Sequence, residues 1–283
     1  MARQPALNIA DYTDQTTMDN LAEVLDGVIE NIQVSAVSEA LKNREGSGDP
    51  RGGSIEYKRF VNAQLKSKGT ARTAGKGDKV IAKPVIVNLD DDKEIIEELQ
   101  MKDVKLYGID GMAQRRKGNF ARRIEAYLDR AFFTEVVNGG TAHTTVKTAL
   151  KDILDEMIVA AKETQSDFID GIDAEDLAIV LNGTARKELK NDLDALPNGT
   201  SPANGAIGAY DSIIVHESNR LPENVDMIVM LKGAVAQPYF VDDYQAEKVP
   251  FDDAIALESF LYSGRETLVP EAISYHATGT VSL

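Results

Sequence analysis

The stretch Ser54-Ile-Glu-Tyr-Lys58-Arg59-Phe-Val-Asn-Ala-Gln-Leu-Lys66-Ser-Lys68, then Gly69-Thr-Ala-Arg72-Thr-Ala-Gly75-Lys76-Gly77, then Asp78-Lys79-Val-Ile-Ala-Lys83-Pro-Val-Ile-Val-Asn-Leu89, sets the reading of the whole chain. Its two ends are rich in strand formers: Ile55, Tyr57, Phe60 and Val61, then Val80, Ile81, Val85 and Val87. Between them, residues 69–77 contain no apolar side chain larger than alanine, so the stretch predicts a long hairpin with a small-residue tip. Eight cations in it face only Glu56 and Asp78, a local charge of +6, while the chain carries −15; everything outside the hairpin therefore sums to −21. A hairpin alone in water is marginal. A basic finger on an acidic body fits docking onto an acidic neighbour, with Lys58, Arg59, Lys66, Lys68, Arg72, Lys76 and Lys79 as contact residues. The plainer reading is an edge hairpin whose lysines discourage aggregation.

Outward from the finger, residues 1–16 are polar and without period, and Thr17–Leu41 predicts an amphipathic helix on Met18, Leu21, Leu25, Val28 and Ile32. Glu45-Gly-Ser-Gly-Asp-Pro-Arg-Gly-Gly53 is a hinge. After the finger, Asp90-Asp-Asp-Lys-Glu-Ile-Ile-Glu-Glu-Leu-Gln100 has the acids of a helix N-terminus, and residues 103–109 suit an extended connector. A long helix is expected over 110–138, with Phe120, Ile124, Leu128 and Phe132 in its stripe and Gly139-Gly140 ending it. Its basic face (Arg115, Arg116, Arg122, Arg123) is expected to make ion pairs within or between subunits. Asp90, Asp91, Asp92, Glu94, Glu97 and Glu98 are the candidate acceptors. Beyond lie a helix over 144–164, a strand at 176–182, a short helix at 184–191 and a small-residue loop at 199–208. Strands at 212–216 and 225–231 follow, then long strands over 238–249 and 253–269, and a last strand over 271–281.

Chemistry is scarce. With no cysteine there is no disulfide, thiolate or cysteine–zinc site. Gly69 to Lys76 is spaced wrongly for a phosphate loop and lies between strands. His143, His216 and His276 form no metal spacing, and the acids from Asp167 to Asp176 recur at every third position, unlike a calcium loop. No catalytic, cofactor-binding or metal-ligating residue is assigned. There is no apolar run of membrane-span length and no hydrophobic leader, and a pI near 4.7 argues against bulk nucleic-acid binding.

The order of elements carries more than any motif. A mobile arm, basic finger, long helix ending in glycines, α/β lobe, long strands and final strand are followed by telling segments. These are Leu221-Pro222, Lys232-Gly-Ala-Val-Ala-Gln-Pro-Tyr-Phe-Val241 and Leu261-Tyr-Ser-Gly-Arg-Glu-Thr-Leu-Val-Pro270-Glu-Ala-Ile273. Over nearly its whole length the chain resembles the major capsid proteins of tailed bacteriophages, which have the Hong Kong 97-like fold. The resemblance implies an α+β architecture with 1–53 as N-terminal arm, 54–89 as extended loop and 110–138 as spine helix. Residues 90–140 and 237–267 would form a peripheral domain, and 141–236 with 268–283 an axial domain. It further implies a structural protein of the virion, made in the host bacterial cytoplasm. Copies would assemble as pentamers and hexamers into an icosahedral shell around double-stranded DNA, with a portal. Only about fifty residues precede the finger, so a separate scaffolding protein is expected; covalent cross-linking is not. An encapsulin-type compartment of the same fold is the nearest alternative, and a soluble α/β enzyme a further one.

Overall fold

A computed structural model describes residues 29–33, 35–63, 81–189, 206–242, 245–249, 252 and 254–282. Residues 29–33 are helical; the chain turns out of the helix at Ala36 (ψ 131°) and resumes it as α1 (Val37–Leu41). The expected continuous helix is thus interrupted within its described part; its first half lies outside the described residues. The finger's base is an antiparallel pair, β1 (Ser54–Phe60) with β2 (Ala82–Asn88), in register from Ser54↔Asn88 to Phe60↔Ala82. Residues 64–80, including Lys66, Lys68, Arg72, Lys76 and Lys79, lie outside the described residues.

The segment expected to start a helix is instead a strand, β3 (Asp91–Gln100). It pairs along ten residues with β12 (Ala254–Ser263), from Asp91↔Ser263 to Gln100↔Ala254. Ile95 and Leu99 alternate onto the core while Asp92, Glu94 and Glu98 face out. The ladder satisfies the backbone of the whole segment, and this tertiary gain overrides a helix-favouring local composition. Helix α2 then starts at once, spanning Met101–Gly139 rather than 110–138, so the expected extended connector is helical. At 1.5 Å per residue its 39 residues reach about 58 Å.

On the other side of β12 lie β10 (Tyr239–Val241) and β11 (Gln245–Lys248). This sheet packs on α2 through Phe120, Ile124 and Leu128 against Leu99, Ile255, Leu257 and Leu261. The second body is a six-stranded mixed sheet in the order β4-β14-β8-β5-β7-β6. Its strands are β4 (Thr141–Ala142), β5 (Leu177–Leu181), β6 (Ala206–Tyr210), β7 (Ile213–Glu217), β8 (Glu223–Leu231) and β14 (Ile273–Ser282). Helices α3 (Leu150–Lys162) and α4 (Gly183–Glu188) flank it; α3 begins six residues later than the sequence suggests. β6 occupies the end of the segment expected as a loop. β5 is buried at all five positions, which explains its unbroken apolar run. Val235–Ala236 (β9) and Glu266–Thr267 (β13) pair near the junction of the two bodies, where Phe132 and Phe133 are fully buried, edge to face at 5.5 Å.

Candidate assembly surfaces

The hairpin's two faces differ because side chains alternate along paired strands. Ile55, Tyr57 and Val87 face inward and, with Leu89, Ala236 and Leu268, form a small core that fixes the base of the finger. On the outer face, Lys58 stands 3.7 Å from Glu56, and Phe60 and Ile86 are 55% and 62% exposed. Arg59 does not reach outward. Its guanidinium donates to Glu271 Oε1 at 2.6 Å and lies 3.9 Å from the centre of the Phe168 ring, with Lys83 Nζ 4.9 Å from the same ring. Asn62 N–H donates to Asp167 O at 3.0 Å, so the finger is strapped along its own molecule as far as residue 62.

The acidic candidates divide in the same alternating way. Asp90, Asp92, Glu94 and Glu98 are exposed. Glu97 turns inward and receives Arg116 on both oxygens, at 2.9 and 2.7 Å, a bidentate pair between β3 and α2. Asp91 also turns inward, where Lys93 (2.8 Å), Arg265 (2.6 Å) and the Tyr127 hydroxyl all donate to it. Burial alone would push its pKa up; these donors outweigh that and hold it at about 2, below the ordinary 3.8. A depressed carboxylate pKa contributes stability that is present above 3.8 and lost as pH falls through about 2. Urea titrations of the protein and of Asp91→Asn between these values should therefore show a steeper acid loss in the unmodified chain. Parallel curves would contradict this.

Of the basic face, Arg115, Arg122 and Arg123 are exposed, and Arg116 is the residue bound to Glu97. The residues brought together most tightly were not evident in the sequence. Asp129 is fully buried on α2 and accepts from Ser38 N–H at 2.9 Å and from Arg220 Nη1 at 3.2 Å. Arg220 Nη2 also lies 3.1 Å from Glu125, which accepts from the Ser35 hydroxyl at 2.9 Å. Burial pushes the Asp129 carboxyl above its usual range, against the Ser38 bonds and the Arg220 charge. This node fastens the N-terminal helical segment, the spine and the 218–220 loop at one point. The i, i+4 spacing of Glu125 and Asp129 was its one sequence signal; their cation is over ninety positions away.

The described surfaces hold exposed basic, acidic and apolar side chains on a molecule braced by internal ion pairs. No protein-family model matches the chain, and no curated protein sequence does. Solved structures do match in fold. A chain of Mycobacterium phage Che8 is 19% identical, with 80% of this chain and 84% of that one covered at a TM-score of 0.57. A chain from the capsid structure of the cyanophage P-SCSP1u is 14% identical, covering 86% of each at 0.57. A chain of a virus-like particle from Pyrococcus furiosus is 13% identical, covering 92% of this chain and 98% of that one at 0.54. The α+β fold of this chain is the fold of these phage capsid chains.

Proposed function

We propose that the protein is the major head subunit of a tailed bacteriophage, assembling as pentamers and hexamers into an icosahedral shell that encloses double-stranded DNA. The observation that carries this is the match in fold to phage capsid chains over four-fifths or more of both partners. The hairpin adds support: its outer face leaves Phe60 and Ile86 exposed on either side of Lys58, apolar and cationic side chains available for a contact. In this reading the 54–89 loop, anchored on its own molecule at its base, reaches the next copy, and contacts of this heterologous kind close into rings. The exposed acids Asp90, Asp92, Glu94 and Glu98 are the acceptors for Lys66, Lys68, Arg72, Lys76 and Lys79. Residues 90–140 with 237–267 form the peripheral domain and 141–236 with 268–283 the axial domain, a division supported by the separate cores of the four-stranded and six-stranded sheets.

Apolar burial supplies most of the shell's stability, and exposed charge pairs, each worth about 0–1 kcal/mol, set the register. Changing Lys66, Lys68, Arg72 and Lys76 together to glutamine should leave a soluble, folded subunit that fails to form shells. Normal shells from that variant, seen by electron microscopy, would overturn the assigned role of the finger. The match to the virus-like particle keeps a cargo-enclosing compartment as the second reading, and the contents of purified shells, DNA or protein, separate the two.

A further inference from the structure

The helix-on-sheet body is polarised. The acids of α2 from residue 114 onward are all engaged: Glu125 with Arg220 and Ser35, Asp129 with Arg220 and Ser38, Glu135 with Thr267. The exposed charges described on the helix are all cations: Lys102, Lys105, Arg115, Arg122, Arg123 and Arg130. Arg115, Arg122 and Arg130 fall on one face of the helix and span about 22 Å along its axis. On the opposite side of the shared core, the outer face of the sheet carries Asp92, Glu94 and Glu98, with Glu258 across from Ile96 in register. One slab, one helix and one sheet thick, therefore has a basic face and an acidic face.

We infer that the arginine face of α2 is the inner surface of the shell and binds the phosphate backbone of the enclosed duplex without reading its sequence. This rests on the shell proposed above. In a wall one subunit thick, the two faces of such a slab look inward and outward, and a polyanion inside is matched by the basic one. The surface suits phosphate better than a folded protein. Between residues 114 and 130 the other exposed described residues are Gln114, Gly118 and Asn119, so there is no apolar side chain to form the dry centre of a protein interface. Guanidinium forks match phosphate oxygens, and a linear stripe fits a linear array of charges. Contacts of this kind fix no base identity.

The test is binding of the full chain to a fluorescent random-sequence DNA duplex as salt is varied. The expected log–log slope is about −3 to −4, a loss of roughly a hundredfold in affinity between about 50 and about 200 mM salt. The variant Arg115→Gln/Arg122→Gln/Arg123→Gln/Arg130→Gln, changed only at exposed positions and checked by circular dichroism, should lose that binding. Asp152→Asn/Glu163→Gln/Asp173→Asn, at exposed acids of the six-stranded body, should keep it. No duplex binding by the unmodified chain, unchanged binding by the arginine variant, or equal binding to polyglutamate would each overturn the inference, the last in favour of an acidic protein. Microscopy of the same samples separates the two proposals. Shells formed from dissociated chains in the presence of the duplex that take up no more of it than shells of the arginine variant sink this inference alone. Arginine-dependent binding without shells counts against the shell.

Discussion

Replacing Arg220 by alanine should lower the stability of the protein by about 3 kcal/mol, because it leaves a fully buried carboxylate without its cation. Asp129 would keep one backbone donor, Ser38 N–H, and Glu125 would keep the Ser35 hydroxyl. Neither neutralises a charge. The same logic predicts rescue. Asp129→Asn in the Arg220→Ala background removes the stranded charge while its side-chain oxygen still accepts from Ser38, so most of the loss should return. Denaturant unfolding of the two single variants and the double variant gives the coupling directly. Additive losses would mean that Arg220 acts by packing alone. The consequence extends beyond stability, since the node ties the 35–38 segment to the spine.

Gly264→Ala is expected to cost about 2–3 kcal/mol for a different reason. Gly264 follows β12, and its N–H donates to Pro238 O at 3.0 Å. An ideal Cβ there would lie 2.0 Å from the carbonyl oxygen of Asn88, the last residue of β2. The obstacle is backbone, which cannot rotate away as a side chain would. The hairpin base must then move off the end of the four-stranded sheet, loosening the Ile55, Tyr57 and Val87 core. The expected phenotype is a lower unfolding midpoint together with earlier proteolysis between residues 60 and 82. An unchanged midpoint would show that the two segments can part without loss.

Elements governed by local pattern were legible in the sequence. The hairpin base, the Gly139-Gly140 stop and the buried run at Leu177–Leu181 all fell where turn chemistry and apolar spacing placed them. Those that depend on distant partners were not. Asp91–Gln100 has the composition of a helix start, and only the ladder from β12, more than 150 positions on, makes it a strand. The start of α2 lacks a side-chain cap at Gln100, and Gly108 and Gly111 dilute the early period. The break at Ala36 accompanies the bond from Ser38 N–H to Asp129 on another element. The site followed the same rule. The sequence showed where cations and acids concentrate, but Arg59–Glu271 and Arg116–Glu97 are pairings of the folded chain.

The most direct test of the central claim is electron microscopy of the purified protein, concentrated across low and high salt after size-exclusion chromatography. The proposed function predicts closed shells or five- and six-fold rings. A small oligomer that keeps a tightly bound metabolite under every one of those conditions would contradict it.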